Sequence, residues 1–249
     1  MIITKLQGGL GNQLFQWATT YALAKKYNTD YKFELSYFNS NHRPLRLHKF
    51  TSIKIPEVDK VYTVNIVHDD FVYKKIPNDS FLNGYWQTEK YFKDVAEEIK
   101  KYLLPSIDDR ALLFAQYPIL LENCTSLHVR RGDYVGLQNI HVIQNLDYYE
   151  KALNIIKSKY VMVFSDDLDW CRKNIKGENV YYIDELDEIK TLHMMSLCKN
   201  NIIANSSFSW WGAWINSNPN KIVVAPKNWF GPDGPTDWSD IYAENWVIL

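Results

Sequence analysis

The chain has 249 residues, with 28 lysines and arginines against 29 aspartates and glutamates, so its formal net charge is -1. That length suits one large domain or two modest ones, and the 46% of hydrophobic residues is ordinary for a globular core. The near-zero charge argues against a nucleic-acid-binding domain, which carries a strong basic excess, and the hydrophobic content excludes a disordered tail protein.

The cysteines and the N-terminus exclude further classes of protein. Cys124, Cys171 and Cys198 are odd in number and show no C-x-x-C spacing, so neither a disulfide framework nor a zinc site is indicated. The apolar run at the N-terminus is too short for a signal peptide, and no apolar stretch of about 18 residues predicts a membrane span. These features predict a cytoplasmic protein.

The first half of the chain predicts a mixture of strands, helices and loop. Ile2 to Leu6 forms a predicted buried strand, and a glycine loop over residues 7–13 leads into a helix. Residues 38–60 are rich in prolines and charges and predict loop. The other predicted elements are strands at 31–35, 61–67 and 81–86, a helix over 91–102 and an apolar segment over 111–121 that Pro118 interrupts.

The second half is more regular. Strands are predicted at 126–129, 160–164, 180–183, 202–204 and 222–225, with helices between them at 148–156, 168–175, 189–197 and 208–215. Strict alternation of strands and helices indicates a parallel sheet with right-handed crossovers, and hence a doubly wound α/β domain. We place two domains at residues 1–122 and 123–249.

Polar residues follow each predicted strand of the second half. These segments are 130–134, 165–167, 184–185, 205–207 and 226–229. In an open parallel sheet, ligands bind outside the carboxyl ends of the strands. The sequence therefore predicts the functional site at this edge of the sheet.

Two adjacent arginines stand in the segment HVRRGDY, residues 128–134. Guanidinium groups are costly to desolvate unless an anion or a carboxylate meets them, and the arginine fork matches the oxygens of a phosphate. We therefore expect Arg130 and Arg131 to hold phosphate. The alternative is a local ion pair of one arginine with Asp133; adjacent strand residues face opposite sides, so that pair alone would not occupy both. An adhesion role for the embedded Arg-Gly-Asp does not suit an intracellular chain.

The segment NSSFSWWGAW, residues 205–214, predicts a strand that runs into a helix. Asn or Ser at a helix start caps free backbone N–H groups, and such groups together with the helix dipole bind anions. A plain N-cap is the alternative. The serines beside three tryptophans at a predicted sheet edge favour the ligand-binding role.

Two further motifs are less specific. Residues 8–13, GGLGNQ, resemble a phosphate-binding loop, but Leu14 stands where the dinucleotide fingerprint needs its third glycine, and the Gly-Lys-Ser/Thr of a P-loop is missing. Asp167-Leu168-Asp169 has the Asp-x-Asp spacing of metal-dependent sugar transferases. Two arginines would make that metal redundant, so we interpret this motif as the acidic first turn of a helix.

Several segments together resemble the α-1,2-fucosyltransferases, and they span the whole chain in that family's order. They are GGLGNQLFQWA (8–18), GYWQTEKYF (84–92), HVRRGDY (128–134), FSDD (164–167) and NSSFSWWGAW (205–214). The resemblance implies a GT-B architecture, in which two Rossmann-like α/β domains face a cleft. It implies GDP-β-L-fucose as donor substrate, with no cofactor and no metal. It also implies inverting transfer of L-fucose to the 2-hydroxyl of a galactose-terminated oligosaccharide or glycan acceptor.

The resemblance carries site residues over to the second domain. Arg130 would contact the β-phosphate of the donor, and His128, Arg131 and Asp133 would complete and brace that site. Asp166 would meet the guanine or the ribose. The residues expected against the diphosphate are Ser206, Ser207 and Phe208.

The resemblance also carries residues over to the first domain. Gly11, Asn12 and Gln13 would close over the reacting centre, with Asn12 among the catalytic residues. Tyr85, Trp86 and Gln87 would form part of an acceptor wall. Animal members of the family carry an N-terminal membrane anchor that does not occur in this sequence, which fits a bacterial or viral type and leaves the acceptor open.

The implied chemistry leaves one role unassigned. Arg130 and Arg131 would stabilise the departing diphosphate while the acceptor hydroxyl attacks from the opposite face. Asp133 and His128 are eligible as general base, or each orients an arginine. The alternatives are a transferase of the same fold with another nucleotide sugar, a non-catalytic carbohydrate-binding module, and an NAD-binding oxidoreductase, which the broken glycine fingerprint disfavours.

Overall fold

The computed structural model describes residues 1–40, 43–58, 65–185 and 187–249. The chain forms two compact units: the first comprises Met1–Leu103 with Asp237–Ala243, and the second comprises Leu104–Thr236 with Glu244–Leu249. These units differ from the predicted domains at residues 104–122 and 237–243. Leu113 and Leu120 explain the first difference, because both pack into a hydrophobic core of the second unit. The division of function between the two predicted domains stays a prediction.

The first unit contains a parallel sheet of four strands. They are β1 (Ile2–Lys5), β2 (Tyr31–Glu34), β3 (Asn65–His68) and β4 (Ser80–Asn83). Their spatial order is β2-β1-β4-β3, and every neighbouring pair is parallel. The strand predicted at 61–67 corresponds to β3, and its residues 61–64 lie outside the described part of the chain.

Two α-helices belong to this unit, α1 (Leu10–Tyr27) and α2 (Ala96–Leu103). The helix predicted over 91–102 is therefore too long at its start. Phe92 has φ -135° and ψ 7°, which is not helical, and short 3-10 turns at Glu89–Tyr91 and Lys93–Val95 precede α2. Further 3-10 turns lie at Ser36–Ser40, Leu47–Lys49 and Ser239–Ile241.

The second unit contains a parallel sheet of six strands with helices between them. In chain order the elements are α3 (Ile107–Gln116), β5 (Cys124–Val129), α4 (Leu146–Ile156), β6 (Tyr160–Ser165), α5 (Leu168–Asn174), β7 (Val180–Tyr182), α6 (Glu188–Leu197), β8 (Asn200–Ile202), α7 (Ser207–Trp214), β9 (Val223–Ala225) and β10 (Val247–Ile248). The 3-10 turns of this unit lie at Pro118–Leu121 and Asp133–Gly136. The doubly wound α/β prediction is confirmed.

The sheet of the second unit is covered on both faces, as alternate residues of β6 show. Val161 and Val163 belong to a core with α4 and α5, whereas Met162 and Phe164 belong to a second core with α3 and α6. Side chains of a strand alternate between its faces, so this strand is buried on both sides. That burial explains why its sequence is a continuous apolar run.

The strand order of this sheet creates a switch point. The order is β10-β9-β8-β5-β6-β7, so the chain moves from β5 to β6 and β7 on one side and then continues through β8, β9 and β10 on the other. β5 and β8 are adjacent and parallel, with Leu127 opposite Ile202. Ligands of open α/β sheets bind at the carboxyl ends of the strands at such a point. Within the described residues, no helix is both long and apolar enough to cross a bilayer.

Candidate active site

The paired arginines lie at the carboxyl end of β5, directly at the switch point. Arg130 places Nη1 2.8 Å from Asp166 and donates a hydrogen bond from Nη2 to Asp133. Arg131 donates from Nε to Asp167 at 3.0 Å, and its guanidinium lies 4.4 Å from the ring centroid of Trp170. The two adjacent side chains thus have separate carboxylate partners.

Asp166 connects the ends of β5 and β6. Besides its ion pair with Arg130, it accepts a hydrogen bond from the backbone N–H of Arg131 at 2.9 Å. A Cβ at Gly132 would lie 2.4 Å from Asp166 Oδ2, so a larger residue at this position would displace the Asp166 carboxylate. The structure therefore gives Asp166 a supporting role for the arginines, and its contact with guanine or ribose stays a prediction.

The ion-pair alternative is correct for Arg130 and Asp133. Together the cluster holds two guanidinium groups and three carboxylates, so the arginines are already partly neutralised. They nevertheless keep hydrogen-bonding capacity: Nε of Arg130 and the terminal nitrogens of Arg131 make no hydrogen bond with any described residue. Their side chains are 24% and 20% exposed, so an incoming anion can reach them.

The second predicted segment begins α7 beside the arginines. Ser206 is the N-cap residue of α7, but its side chain makes no capping hydrogen bond, so it does not act as a plain N-cap. The first-turn N–H groups of α7, next to Ser207 and Phe208, therefore keep their capacity to bind an anion, which the positive end of the helix dipole favours. Ser206 is buried, whereas Ser207 and Phe208 are half-buried.

Asn205 fixes this segment against two loops. Its Nδ2 donates to the carbonyls of Val142 at 2.9 Å and Trp229 at 2.8 Å, and its Oδ1 accepts from Gln144 Nε2 at 3.2 Å. The backbone carbonyl of Asn205 accepts a hydrogen bond from the Tyr134 hydroxyl at 3.1 Å. Asn205 therefore joins the loops that follow β5, β8 and β9.

His128 lies on β5, two residues before Arg130, and is buried. Its ring is 6.2 Å from that of Phe208, and Nδ1 has no hydrogen-bond partner among the described residues. Burial, together with the charge of Arg130, lowers the pKa of His128 to about 3. The imidazole is therefore neutral at ordinary pH and is a weak candidate for the general base.

This shift predicts a measurable pH dependence of stability. An unfolded histidine binds a proton below a pKa of roughly 6.5, whereas folded His128 does not until about pH 3. The folded state is thus penalised as pH falls below that unfolded value, by about 1.4 kcal/mol per pH unit. In urea titrations between pH 7 and pH 4, His128→Gln is expected to lose less stability than the native chain. Parallel stability curves for the two proteins would contradict the shift.

In the first unit, the predicted loop residues lie at the start of α1. Gly8 has φ 77°, a conformation that favours glycine, and Gly11 is buried in the first turn of the helix. Asn12 accepts a hydrogen bond from Gln87 Nε2 at 2.8 Å, which brings two predicted site residues together.

Gln13 and Trp86 are both fully buried. Gln13 donates to the carbonyls of Gly8 and Pro44 and accepts from the backbone N–H groups of Arg46 and Leu47, so its amide supports the loop. Its predicted contact with the donor stays a prediction. Trp86 belongs to the core of the first unit, so its predicted place on an acceptor wall is wrong.

The Asp-x-Asp motif is the acidic start of α5, as predicted. Asp167 caps the helix by accepting from the Trp170 N–H at 3.1 Å, and Asp169 pairs with Arg172. Desolvation alone would raise the pKa of Asp167, but the Trp170 N–H and Arg131 outweigh it and hold that pKa below its usual value. No group of three or more His, Cys, Asp or Glu side chains suited to a metal ion occurs in the described residues.

The family model for glycosyl transferase family 11 matches residues 1–249. The chain belongs to glycosyl transferase family 11.

Two bacterial relatives of this family 11 chain match nearly end to end. The O-antigen biosynthesis glycosyltransferase WbnK of Escherichia coli is 32% identical, with 98% of this chain and 99% of that protein covered. An alpha-1,2-colitosyltransferase of Escherichia coli is 30% identical, with 100% of this chain and 99% of that protein covered. The chain is therefore a glycosyltransferase.

More distant matches agree with this assignment. The galactoside 2-alpha-L-fucosyltransferase Sec1 of Mus musculus is 26% identical, with 94% of this chain and 69% of that protein covered. The solved fucosyltransferase NodZ from Bradyrhizobium is 12% identical with a TM-score of 0.53, and 85% of this chain and 91% of that chain are covered. This likeness shows the GT-B fold and confirms the predicted fold class.

Sequence reasoning missed several contacts of the candidate active site. Asp167 lies in the segment 165–167 predicted at the functional edge of the sheet, but its role was interpreted as a helix start, and its bond to Arg131 was not predicted. Gln144 and Trp170 were not assigned at all, and they contact Asn205 and Arg131. The position of Asp167 directly after β6, next to Asp166, was the available signal; Gln144 has none, because its contacts depend on how distant loops meet.

Proposed function

We propose that this family 11 enzyme transfers L-fucose from GDP-β-L-fucose to the 2-hydroxyl of a galactose-terminated oligosaccharide or glycan, with inversion. The observation that carries the proposal is the arginine pair at the switch point, with donor nitrogens that no described residue occupies. The α-1,2-fucosyltransferase motifs and the galactoside 2-fucosyltransferase among the relatives support the sugar and the position.

The proposed chemistry is a single displacement. The acceptor oxygen forms a bond to the anomeric carbon of fucose, the bond from that carbon to the β-phosphate oxygen breaks, and GDP leaves with the bonding electrons. Arg130 and Arg131 stabilise the negative charge that develops on the departing oxygen, where preorganised donors act most strongly. The first-turn N–H groups of α7, beside Ser206, Ser207 and Phe208, contribute to the same phosphates.

The acceptor hydroxyl loses its proton in this step. Asp133 is the stronger candidate for the base, because its carboxylate is 41% exposed, whereas the imidazole of His128 is buried. Asp133 also pairs with Arg130, so proton transfer and phosphate binding are coupled in this scheme. We assign Gly11, Asn12 and Gln13 of the first unit to the donor-binding and catalytic groups on the basis of the family resemblance.

The arginines supply the positive charge that a metal ion provides in other sugar transferases, so we propose a reaction that needs no metal and no cofactor. Turnover is expected to be unchanged in excess EDTA and on return of Mg²⁺ or Mn²⁺. A loss of turnover in EDTA that Mn²⁺ restores would contradict this part of the proposal.

A cytoplasmic location is also part of the proposal, since all three cysteines are free thiols.

A second donor deserves the same test, because one near end-to-end relative is an alpha-1,2-colitosyltransferase. Colitose differs from fucose only by the missing 3-hydroxyl. Arginines that bind the phosphates do not contact that position, so they do not distinguish the two sugars. We therefore offer GDP-fucose and GDP-colitose in competition, with a panel of galactose-terminated acceptors, and assign product linkages by NMR.

In this competition we expect a fucosyl product with an α-1,2 linkage to galactose, formed faster than the colitosyl product. A preference for GDP-colitose would move the assignment to the second donor. Absence of product with either donor, while GDP still binds in calorimetry, would contradict both assignments. Failure of GDP to bind would favour the carbohydrate-binding module.

A further inference from the structure

Tyr134 contacts three parts of the candidate active site at once. The guanidinium of Arg130 lies 5.2 Å from the centroid of its ring, and the imidazole of His141 stacks on the ring at 4.3 Å with an interplanar angle of 8°. The Tyr134 hydroxyl donates to the backbone carbonyl of Asn205 at 3.1 Å. One side chain thus connects the end of β5 with the segment that follows β8.

These contacts complete the surroundings of Arg130. Asp133 and Asp166 bind its terminal nitrogens and fix the edge of the guanidinium plane. A guanidinium group also interacts with the electron-rich face of an aromatic ring, and Tyr134 offers such a face. The carboxylates thus contact the guanidinium at its terminal nitrogens, and the Tyr134 ring adds a contact at a third place.

The backbone keeps Tyr134 in place. Tyr134 lies in the 3-10 turn Asp133–Gly136, in which Val135 donates to the carbonyl of Arg131 at 2.9 Å. The hydroxyl is anchored to Asn205, whose side chain is itself held by two backbone carbonyls. The ring therefore has a fixed support on the other side of the switch point.

We propose that Tyr134 is a positioning residue for the transfer reaction: its ring face holds the Arg130 guanidinium in the orientation that meets the departing phosphate. This inference rests on the proposed phosphate-binding role of Arg130. The developing charge on the leaving oxygen is met only by a correctly oriented guanidinium, so loss of the ring face lowers kcat more than it raises the KM for the donor.

A fluorinated phenylalanine series at position 134 tests this role. Each added fluorine withdraws electrons from the ring face while the shape stays nearly constant, so a cation–π contact weakens in steps. We expect Tyr134→Phe to lose about 2- to 10-fold in kcat through the lost hydroxyl. From phenylalanine to its pentafluoro form we expect kcat to fall stepwise with each added fluorine, by about 2- to 30-fold in total. The donor KM is expected to stay within about twofold.

Tyr160 provides a matched control, because Lys159 lies 4.8 Å from its ring centroid at the amino end of β6, the end opposite to the site. The same fluorinated series there is expected to leave kcat unchanged. Tyr134→Leu removes the ring altogether, and its kcat is read only if thermal unfolding shows a folded protein. If that variant does not fold, the fluorinated series alone tests whether Tyr134 positions Arg130.

A flat kcat across the series at position 134 would overturn the inference, and so would a gradient of the same size at Tyr160. Failure of the proposed function is a separate outcome, because it is read from Arg130→Ala. If Arg130→Ala abolishes transfer and the fluorinated series is flat, Arg130 acts without Tyr134. If Arg130→Ala retains normal transfer, Arg130 does not bind the departing phosphate, and the positioning role of Tyr134 is overturned as well.

Discussion

Replacing Arg130 by alanine is expected to abolish transfer while the protein stays folded. The side chain contacts Asp133, Asp166 and the ring of Tyr134 at the carboxyl end of β5, and 24% of its surface is exposed. Charge-assisted hydrogen bonds contribute about 1.5–3 kcal/mol each. Nη1 and Nη2 of Arg130 each bind one carboxylate and carry a second N–H, which together with Nε remain for the phosphate. Loss of two such bonds to the leaving phosphate corresponds to a fall of about 10²–10⁴-fold in kcat/KM.

The measurement is steady-state turnover of GDP-fucose, with thermal unfolding recorded on the same samples. Arg172→Ala is the matched control: Arg172 lies on α5, is 45% exposed and pairs with Asp169, so it is expected to keep normal turnover. Arg130→Lys keeps the charge and loses the planar fork, so we expect it to restore little of the activity. Near-normal turnover by Arg130→Ala would remove the arginine pair from the scheme.

The order of strands and helices in the second unit could be predicted from the sequence. Strands that are buried on both faces appear as continuous apolar runs, and helices repeat their apolar residues at helical spacing. Residues 160–164 were predicted as a strand, and β6 is Tyr160–Ser165. The position of the site followed from the rule that ligands bind beyond the carboxyl ends of parallel strands. β10 was missed, because Val247–Ile248 is a two-residue strand that is defined by its pairing with β9 and has no periodicity of its own.

The side chains that contact the site residues were harder to predict from the sequence. Arg131 binds Asp167, which the position after β6 placed at the same edge of the sheet without showing the pairing. Trp170 contacts the same guanidinium from α5, and no local pattern in the sequence indicates that contact. Trp86 illustrates the opposite error: it stands in a family motif, but its φ of 58° belongs to a turn held by Asp69, and the ring is buried. A motif marks which segments matter, whereas packing decides which side chains reach the surface.

Asn205→Asp is expected to destabilise the protein strongly, although the two side chains have nearly the same shape. Asn205 is buried, and its Nδ2 donates to the carbonyls of Val142 and Trp229. A carboxylate cannot donate to these carbonyls, so three acceptors would face one another without a proton between them. An unsatisfied buried polar group costs about 1–3 kcal/mol, and an unpaired buried charge costs more.

We expect Asn205→Asp to lose at least about 3 kcal/mol of unfolding free energy, which for a chain of this size lowers Tm by about 6–12 °C. Asn174→Asp makes the same chemical change at an exposed residue of α5, where Nδ2 donates to the Trp170 carbonyl at 2.7 Å, so it is expected to stay within about 0.5 kcal/mol of the native chain. Equal effects of the two substitutions would show that Asn205 does not hold the loops.

Because Ser206 and Ser207 follow Asn205 directly, the folded fraction of Asn205→Asp is also expected to bind GDP more weakly, which titration below its Tm measures.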